Sequence, residues 1–97
     1  MFVAEVVGNV WGTSRHPSLK DRRLLLVRPI DPMTDEPTGE VTMALDGGVG
    51  AGPGSVVLVV DEGGSARSIL GDPGAPVRTV VCGIVDAACV NGVERKL

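Results

Sequence analysis

One stretch of the sequence decides the fold class: Val56-Val57-Leu58-Val59-Val60, bounded by Ser55 and Asp61. The run has the length of a strand, and its β-branched side chains favour extended backbone. Successive side chains of a strand point to opposite faces, so this run is apolar on both of them. It therefore predicts a strand that is covered on both sides.

Outward from this run, glycine- and proline-rich turns divide the chain into short pieces that predict four more strands. In chain order the five predicted strands span Phe2–Thr13, Arg23–Ile30, Val41–Asp46, Ser55–Asp61 and Thr79–Ala88. One short helix is expected between the fourth and fifth strands, with Ser65 as its cap, Ala66 to Leu70 as its body and Gly71 at its end. This element order predicts an all-β protein, a five-stranded OB-like β-barrel.

Two other predicted strands share the doubly apolar pattern, at Leu24–Val27 and Val80–Val85. An antiparallel barrel usually leaves polar residues on its outer face. Because the pattern predicts no spare helix to cover these strands, the expected cover is a neighbouring subunit, which favours an obligate oligomer. The alternative is that loops of the same chain fold over them.

Length and charge bound the classes of function. The 97 residues are expected to form a single domain, 1–97, with a formal charge of −3, one Trp, one Phe and no Tyr. Long-range attraction to nucleic acid or anionic lipid is therefore not expected, and neither a signal peptide nor a membrane-spanning run is predicted. The basic residues between Arg15 and Arg23 are interpreted as a solvated loop, with a local basic patch as the alternative.

Catalytic and metal-binding patterns are not found in the sequence. His16 is the single histidine, and Cys82 and Cys89 are too few for a disulfide framework or a zinc site, so free thiols are expected. The glycine-rich segment Gly47–Gly54 lacks the lysine and following helix of a P-loop and the spacing of a dinucleotide fingerprint. It is interpreted as a tight loop. No catalytic residue, metal or cofactor is predicted.

Several segments in order resemble the EutN/CcmL family of bacterial microcompartment vertex proteins, over almost the whole chain. The most specific part is the block Asp46-Gly47-Gly48-Val49-Gly50-Ala51-Gly52-Pro53-Gly54-Ser55-Val56-Val57-Leu58, followed by Ser65-Ala66-Arg67. The supporting segments are Met1–Thr13, Lys20–Pro29, Pro76–Val77 and Gly83–Asp86. Gly47 and Ser55 depart from the family pattern, which often has a hydroxylated residue and an acid there.

This resemblance implies an OB-like barrel that forms cyclic pentamers. Such pentamers occupy the five-fold vertices of a polyhedral protein shell, which encloses metabolic enzymes in the bacterial cytoplasm. The implied partners are copies of the same chain and the hexameric shell proteins, with no nucleic acid and no membrane. The implied function is structural, so the protein is expected not to be an enzyme.

The resemblance also implies where contacts form. Residues expected near a subunit interface or the five-fold axis are Gly50, Ala51, Gly52, Ser65, Ala66 and Arg67. Contacts with adjoining shell tiles are expected at Thr13, Arg15 and Leu19. The substitution Ala51→Glu is accordingly expected to disrupt assembly more than folding.

Two other functions remain open at this point. An OB-type barrel is also compatible with binding of nucleic acid, although the acidic charge and the near absence of aromatic residues oppose it. A small enzyme or metabolite-binding subunit that uses the Gly47–Gly54 loop is the second alternative.

Overall fold

The computed structural model describes residues 1–12 and 15–97. The barrel strands are β1 (Phe2–Val10), β2 (Leu24–Pro29), β3 (Thr42–Asp46), β4 (Val56–Asp61) and β5 (Thr79–Ile84). The helix α1 (Gly63–Leu70) lies between β4 and β5, and a short 3₁₀ turn spans Pro17–Leu19. Beyond the barrel, β6 (Ala87–Val90) and β7 (Val93–Lys96) pair with each other in a separate sheet.

The five barrel strands close in the order β1-β2-β3-β5-β4, which confirms the predicted OB-like barrel with one helix between its fourth and fifth strands. The neighbours pair antiparallel except β3 and β5, whose short parallel ladder joins Leu45 to Val80 and Asp46 to Val81. Strand β1 is irregular near Gly8, where its register against β2 shifts between Val6 and Gly8. Closure removes free sheet edges from the barrel.

The barrel interior is an aliphatic core. Its buried members come from all five strands and from the loop before β4, and they are Ala4, Val6, Leu25, Val27, Ala44, Ala51, Val57, Val59 and Val81. On each strand these residues alternate with outward-facing ones, as the period of two requires. The interior is therefore filled by side chains and leaves no channel through the barrel.

A second cluster lies outside the barrel, beneath α1. It consists of Leu45, Val60, Ala66, Leu70, Ala75 and Val80. The expectation that the chain has no helix to cover its outer strand faces is thus wrong for this part of the surface. A helix of only eight residues is sufficient because three strands each present one apolar residue to it.

The ends of α1 differ in how well the sequence predicted them. Gly71 ends the helix in the left-handed conformation (φ 66°), as expected. The predicted cap, Ser65, is wrong: Glu62 caps the helix, and its carboxylate accepts hydrogen bonds from the backbone N–H groups of Gly64 (2.7 Å) and Ser65 (2.8 Å). The Ser65 hydroxyl and these amides lower the pKa of Glu62 to about 2.

Candidate assembly interface

The part of the barrel that α1 leaves uncovered is apolar. We call it the outer strip, formed by outward-facing residues of β1 to β4: Val3, Val7, Leu26, Met43, Val56 and Leu58. Strand pairing makes it continuous, since Leu58 lies opposite Val3 and Leu26 lies opposite Met43, which is 48% exposed. An apolar surface on a closed barrel is typical of a protein contact.

One ion pair interrupts the outer strip. Glu5 of β1 lies opposite Arg28 of β2, and Arg28 Nη2 is 3.1 Å from Glu5 Oε1. Both side chains remain more than a third exposed, so the pair contributes little to the stability of the isolated chain. Within an interface it would set the alignment of the two partners.

The β6–β7 hairpin is the second uncovered apolar surface. Val90 and Val93 flank its turn, and Val93 is 62% exposed. The hairpin has no strand pairing with the barrel, and an isolated two-stranded hairpin is marginally stable in water. The radius of gyration, 13.7 Å, exceeds the roughly 12.5 Å expected for a compact chain of this length. The hairpin therefore resembles an arm that requires a partner.

Sequence interpretation missed this hairpin, since it extended the fifth strand to Ala88 and treated the following residues as a short tail. The signal was present: Asn91 (φ 51°) and Gly92 (φ 81°) form a two-residue turn with both residues at positive φ. Asn-Gly between two short extended runs is the strongest local hairpin signature.

Arg95 links the hairpin to the body of the protein. Arg95 donates hydrogen bonds to both carboxylate oxygens of Asp35 (2.9 and 2.5 Å) and to the carbonyl of Pro32 (2.9 Å). The hydrogen bonds from Arg95 lower the pKa of Asp35. Because Asp35 is exposed and Arg95 is only partly buried, we expect the attachment to align the hairpin rather than to add much stability.

The Gly47–Gly54 loop is organised by the carboxylate that precedes it. Asp46, only 7% exposed, accepts hydrogen bonds from the backbone N–H groups of Gly48 (3.2 Å), Val49 (3.0 Å) and Gly50 (3.1 Å). Gly48 and Gly50 have φ of 99° and 75°, which favour glycine. These amides are therefore already bonded to an anion, which removes them as a phosphate cradle and opposes a metabolite site in this loop.

The structure separates the six residues expected near an interface. Ala51 is 0% exposed and belongs to the barrel interior, whereas Ala66 is buried in the cluster beneath α1. Gly50 is exposed and Gly52 is half-buried beside Ala51. The reasoning behind the Ala51→Glu expectation is therefore wrong, because a glutamate there would enter the core before it met any neighbour.

Ser65 and Arg67 lie on the exposed side of α1. The Ser65 hydroxyl is engaged by Glu62 (Oγ to Oε2, 2.7 Å). Arg67 is half-buried, and within residues 1–12 and 15–97 no carboxylate lies within 4.0 Å of its guanidinium. Its charge is thus available to an acceptor on another chain.

The three residues expected at adjoining tiles have different environments. Arg15 is exposed, and its Nη1 donates to the carbonyl of Arg22 at 2.8 Å. Leu19 is half-buried against the cluster beneath α1, which leaves only part of its side chain for a partner. Thr13 lies outside the described residues.

Other kinds of site were sought in the same part of the chain. Among the described residues, no group of three or more His, Cys, Asp or Glu side chains is arranged to hold a metal ion. None of the helices in that part has both the length and the apolar character needed to cross a bilayer. Cys82 is partly buried and Cys89 is exposed, and the two form no disulfide in this structure.

With the geometry in place, the chain was compared with known proteins. Residues 1–86 match the family model described as "Ethanolamine utilisation protein EutN/carboxysome". The chain is 40% identical over 92 residues to the bacterial microcompartment shell vertex protein EutN of Escherichia coli K12, covering 95% of this chain and 94% of that one.

Solved structures give the same result. The structure of CcmL from Gloeobacter violaceus superposes with a TM-score of 0.85 at 33% identity, over 97% of this chain and 94% of that one. GrpN of Rhodospirillum rubrum, described as a pentameric microcompartment shell protein, gives a TM-score of 0.80 at 32% identity, over 93% and 99% of the two chains. The fold is therefore shared over almost the whole length.

Proposed function

This chain belongs to the EutN/CcmL family, and from that premise we propose that it is a structural shell protein that forms pentamers at the five-fold vertices of a bacterial microcompartment. Relatives of similar length are named shell vertex proteins, and one solved relative is described as pentameric. The function is geometric: flat hexameric tiles do not close a surface by themselves, and pentagons supply the curvature.

One observation on this chain carries the proposal: a closed barrel keeps two different apolar surfaces uncovered. The outer strip and the β6–β7 hairpin belong to different sheets and are not equivalent. A cyclic ring needs head-to-tail contacts between two unlike surfaces, because a single self-complementary surface would produce a two-fold dimer. The outer strip of one subunit and the hairpin of the next satisfy this requirement.

The loop and the helix supply further ring contacts in this proposal. The exposed backbone of Gly50 and the unpaired guanidinium of Arg67 would face a neighbour, with Gly52 and Ser65 beside them. Ala51 and Ala66, which are buried, would hold the loop and the helix in place by packing against the rest of the chain. Such a division of roles fits their burial in the isolated chain.

The proposal extends to partners and location. Arg15, Thr13 and the exposed part of Leu19 would meet adjoining hexameric shell proteins, in a shell assembled in the bacterial cytoplasm. The protein would perform no catalysis, and it would require no cofactor, nucleic acid or membrane.

Shell closure tests the function directly. The chain is co-expressed with hexameric shell proteins of a bacterial microcompartment, and the purified particles are examined by electron microscopy. Closed polyhedra are expected with the chain present, and open sheets or tubes without it. Equally closed polyhedra in its absence would refute the vertex function.

A further inference from the structure

A cleft lies outside the two surfaces assigned to the ring, at the end of β1 beside the segment that leads into β2. Its volume is about 420 Å³. Its lining combines one indole with several guanidinium groups and includes Trp11, Arg15, Asp21, Arg22 and Arg23. Neither the closed barrel nor the proposed ring contacts give this combination a role.

Trp11 is the first part of the argument. Its indole is 86% exposed, although it is the single Trp in the chain and one of only two aromatic residues. A large amphipathic ring that remains in water does not contribute the stabilisation that burial of such a side chain ordinarily provides. Trp and Arg are also the residues most enriched at the centres of protein interfaces. The exposure of Trp11 beside arginines therefore indicates a surface that a partner covers.

The charge of the cleft is the second part. Arg22 donates from Nε to the carbonyl of Ser18 (3.1 Å) and from Nη2 to the carbonyl of Leu70 (3.1 Å), while Arg15 donates to the carbonyl of Arg22. These acceptors are neutral, and among the described residues no carboxylate lies within 4.0 Å of either guanidinium. Neither guanidinium therefore forms an ion pair within this distance, although Asp21 lines the same cleft and the charge of Arg22 contributes to the lowered pKa of Asp72.

We propose that this cleft docks an acidic segment of an adjoining shell protein, with a carboxylate between Arg15 and Arg22 and an apolar side chain against Trp11. The nature of the partner rests on the proposed function. A carboxylate suits a pair of guanidinium groups whose hydrogen bonds already fix their positions. Small-molecule sites enclose most of their ligand, whereas this cleft has a largely water-exposed indole. Nucleic acid is disfavoured by the acidic net charge.

The indole provides the measurement, since its fluorescence reports on the cleft without a label. The purified assembled protein is titrated with a short blocked peptide of alternating Glu and Leu, with the same peptide carrying Gln for every Glu, and with inorganic phosphate. The test variant is Arg15→Gln. Arg78→Gln is the matched control, because Arg78 is an exposed arginine already paired with Asp61 at 3.1 Å.

The acidic peptide is expected to shift the emission of Trp11 to shorter wavelength in a saturable manner. Arg15→Gln should weaken that binding by about tenfold, the value of one charge-assisted hydrogen bond, and Arg78→Gln should leave it unchanged. The proposal is overturned by an absent shift, by an equal response to the Gln peptide or to phosphate, or by emission of a buried indole before any addition. The last result would place the cleft inside the ring.

The mass of the same sample separates this proposal from the proposed function. A ring of five copies that does not respond to the acidic peptide rejects the docking site alone. A monomer that binds the peptide rejects the ring alone.

Discussion

The barrel interior and the β6–β7 hairpin both contain small aliphatic residues, but the hairpin also carries Glu94, Arg95 and Lys96, and the two regions differ in exposure and in strand pairing. Leu25 and Val57 in the barrel are 0% exposed, whereas Val93 in the hairpin is 62% exposed. The barrel closes on itself and satisfies its own backbone, while the hairpin pairs only with itself. The comparison teaches that one region is complete in a single chain and the other becomes complete only in an assembly.

The strongest test of this division is a charge placed inside the barrel. Ala51→Glu should lower the free energy of unfolding by more than about 4 kcal/mol, because it buries an unpaired carboxylate. Domains of this kind are stable by only about 5–15 kcal/mol, so much of the protein should unfold. Circular dichroism during thermal denaturation measures this loss of stability.

The matched control places the same charge on the exposed hairpin, as Ala87→Glu. This variant should keep the thermal transition of the barrel. If Ala51→Glu also folds normally and only loses assembly, Ala51 is a ring contact and its assignment to the interior is wrong.

Removing apolar volume should also distinguish the barrel interior from the hairpin. Leu25→Ala should cost about 2–5 kcal/mol of unfolding free energy, through lost burial and the cavity left behind. Val93→Ala should cost less than about 0.5 kcal/mol in the isolated chain, because the side chain is already hydrated. Urea denaturation of both variants compares their unfolding free energies directly, at protein concentrations low enough for the ring to be dissociated. Equal losses at the two positions would mean that the hairpin packs onto the barrel.

The loop before β4 should respond to the loss of a single acceptor. Asp46→Asn keeps one oxygen but places an NH₂ group where Oδ2 now accepts from Gly50 and lies 3.7 Å from Arg23. We expect a loss of about 1–3 kcal/mol in unfolding free energy, the cost of a buried unsatisfied pair. Asp31→Asn is the control, since among the described residues the Asp31 carboxylate accepts one backbone hydrogen bond, from Met33. An unchanged unfolding free energy in Asp46→Asn would mean that the carboxylate does not organise the loop.

The smallest effect is expected at the attachment of the hairpin. The lowered pKa of Asp35 means that its pair with Arg95 stabilises the attachment fully above the ordinary pKa of 3.8, and less as the pH falls through the lower folded value. Amide hydrogen exchange should therefore show β6 and β7 losing protection in acid before the barrel does. In Arg95→Gln the hairpin should already be less protected at neutral pH than it is in the unmodified chain. Equal protection of hairpin and barrel in both conditions would contradict this prediction.

The sequence allowed the barrel to be predicted because three of its strands are largely apolar runs and because glycine and proline mark the turns between strands, and both signals are local. The hairpin was missed because Ala87 and Ala88 were assigned to the fifth strand and the charged residues of β7 were treated as a tail, although the Asn91-Gly92 turn was visible. The burial of Ala51 could not be inferred, since a glycine-rich loop is ordinarily at the surface. The cap was assigned to Ser65 because serine is the commoner capping residue, and the longer Glu62 replaced it.

Gly47 illustrates a departure from the family pattern with a physical reason. A Cβ atom at this position would lie 2.5 Å from the carbonyl oxygen of Val81 and 2.9 Å from Cγ2 of Ile69. The loop, β5 and α1 therefore approach one another at a distance that only glycine permits without a shift. The close contact is established by tertiary packing, which the sequence pattern alone does not reveal.

The central claim is that the hairpin and the outer strip are unfinished surfaces that become buried in a five-membered ring. Native mass spectrometry of the purified full chain tests it most directly. The account predicts a dominant species of five copies. A monomer that persists at high protein concentration would show that these surfaces need no partner, and would contradict the claim.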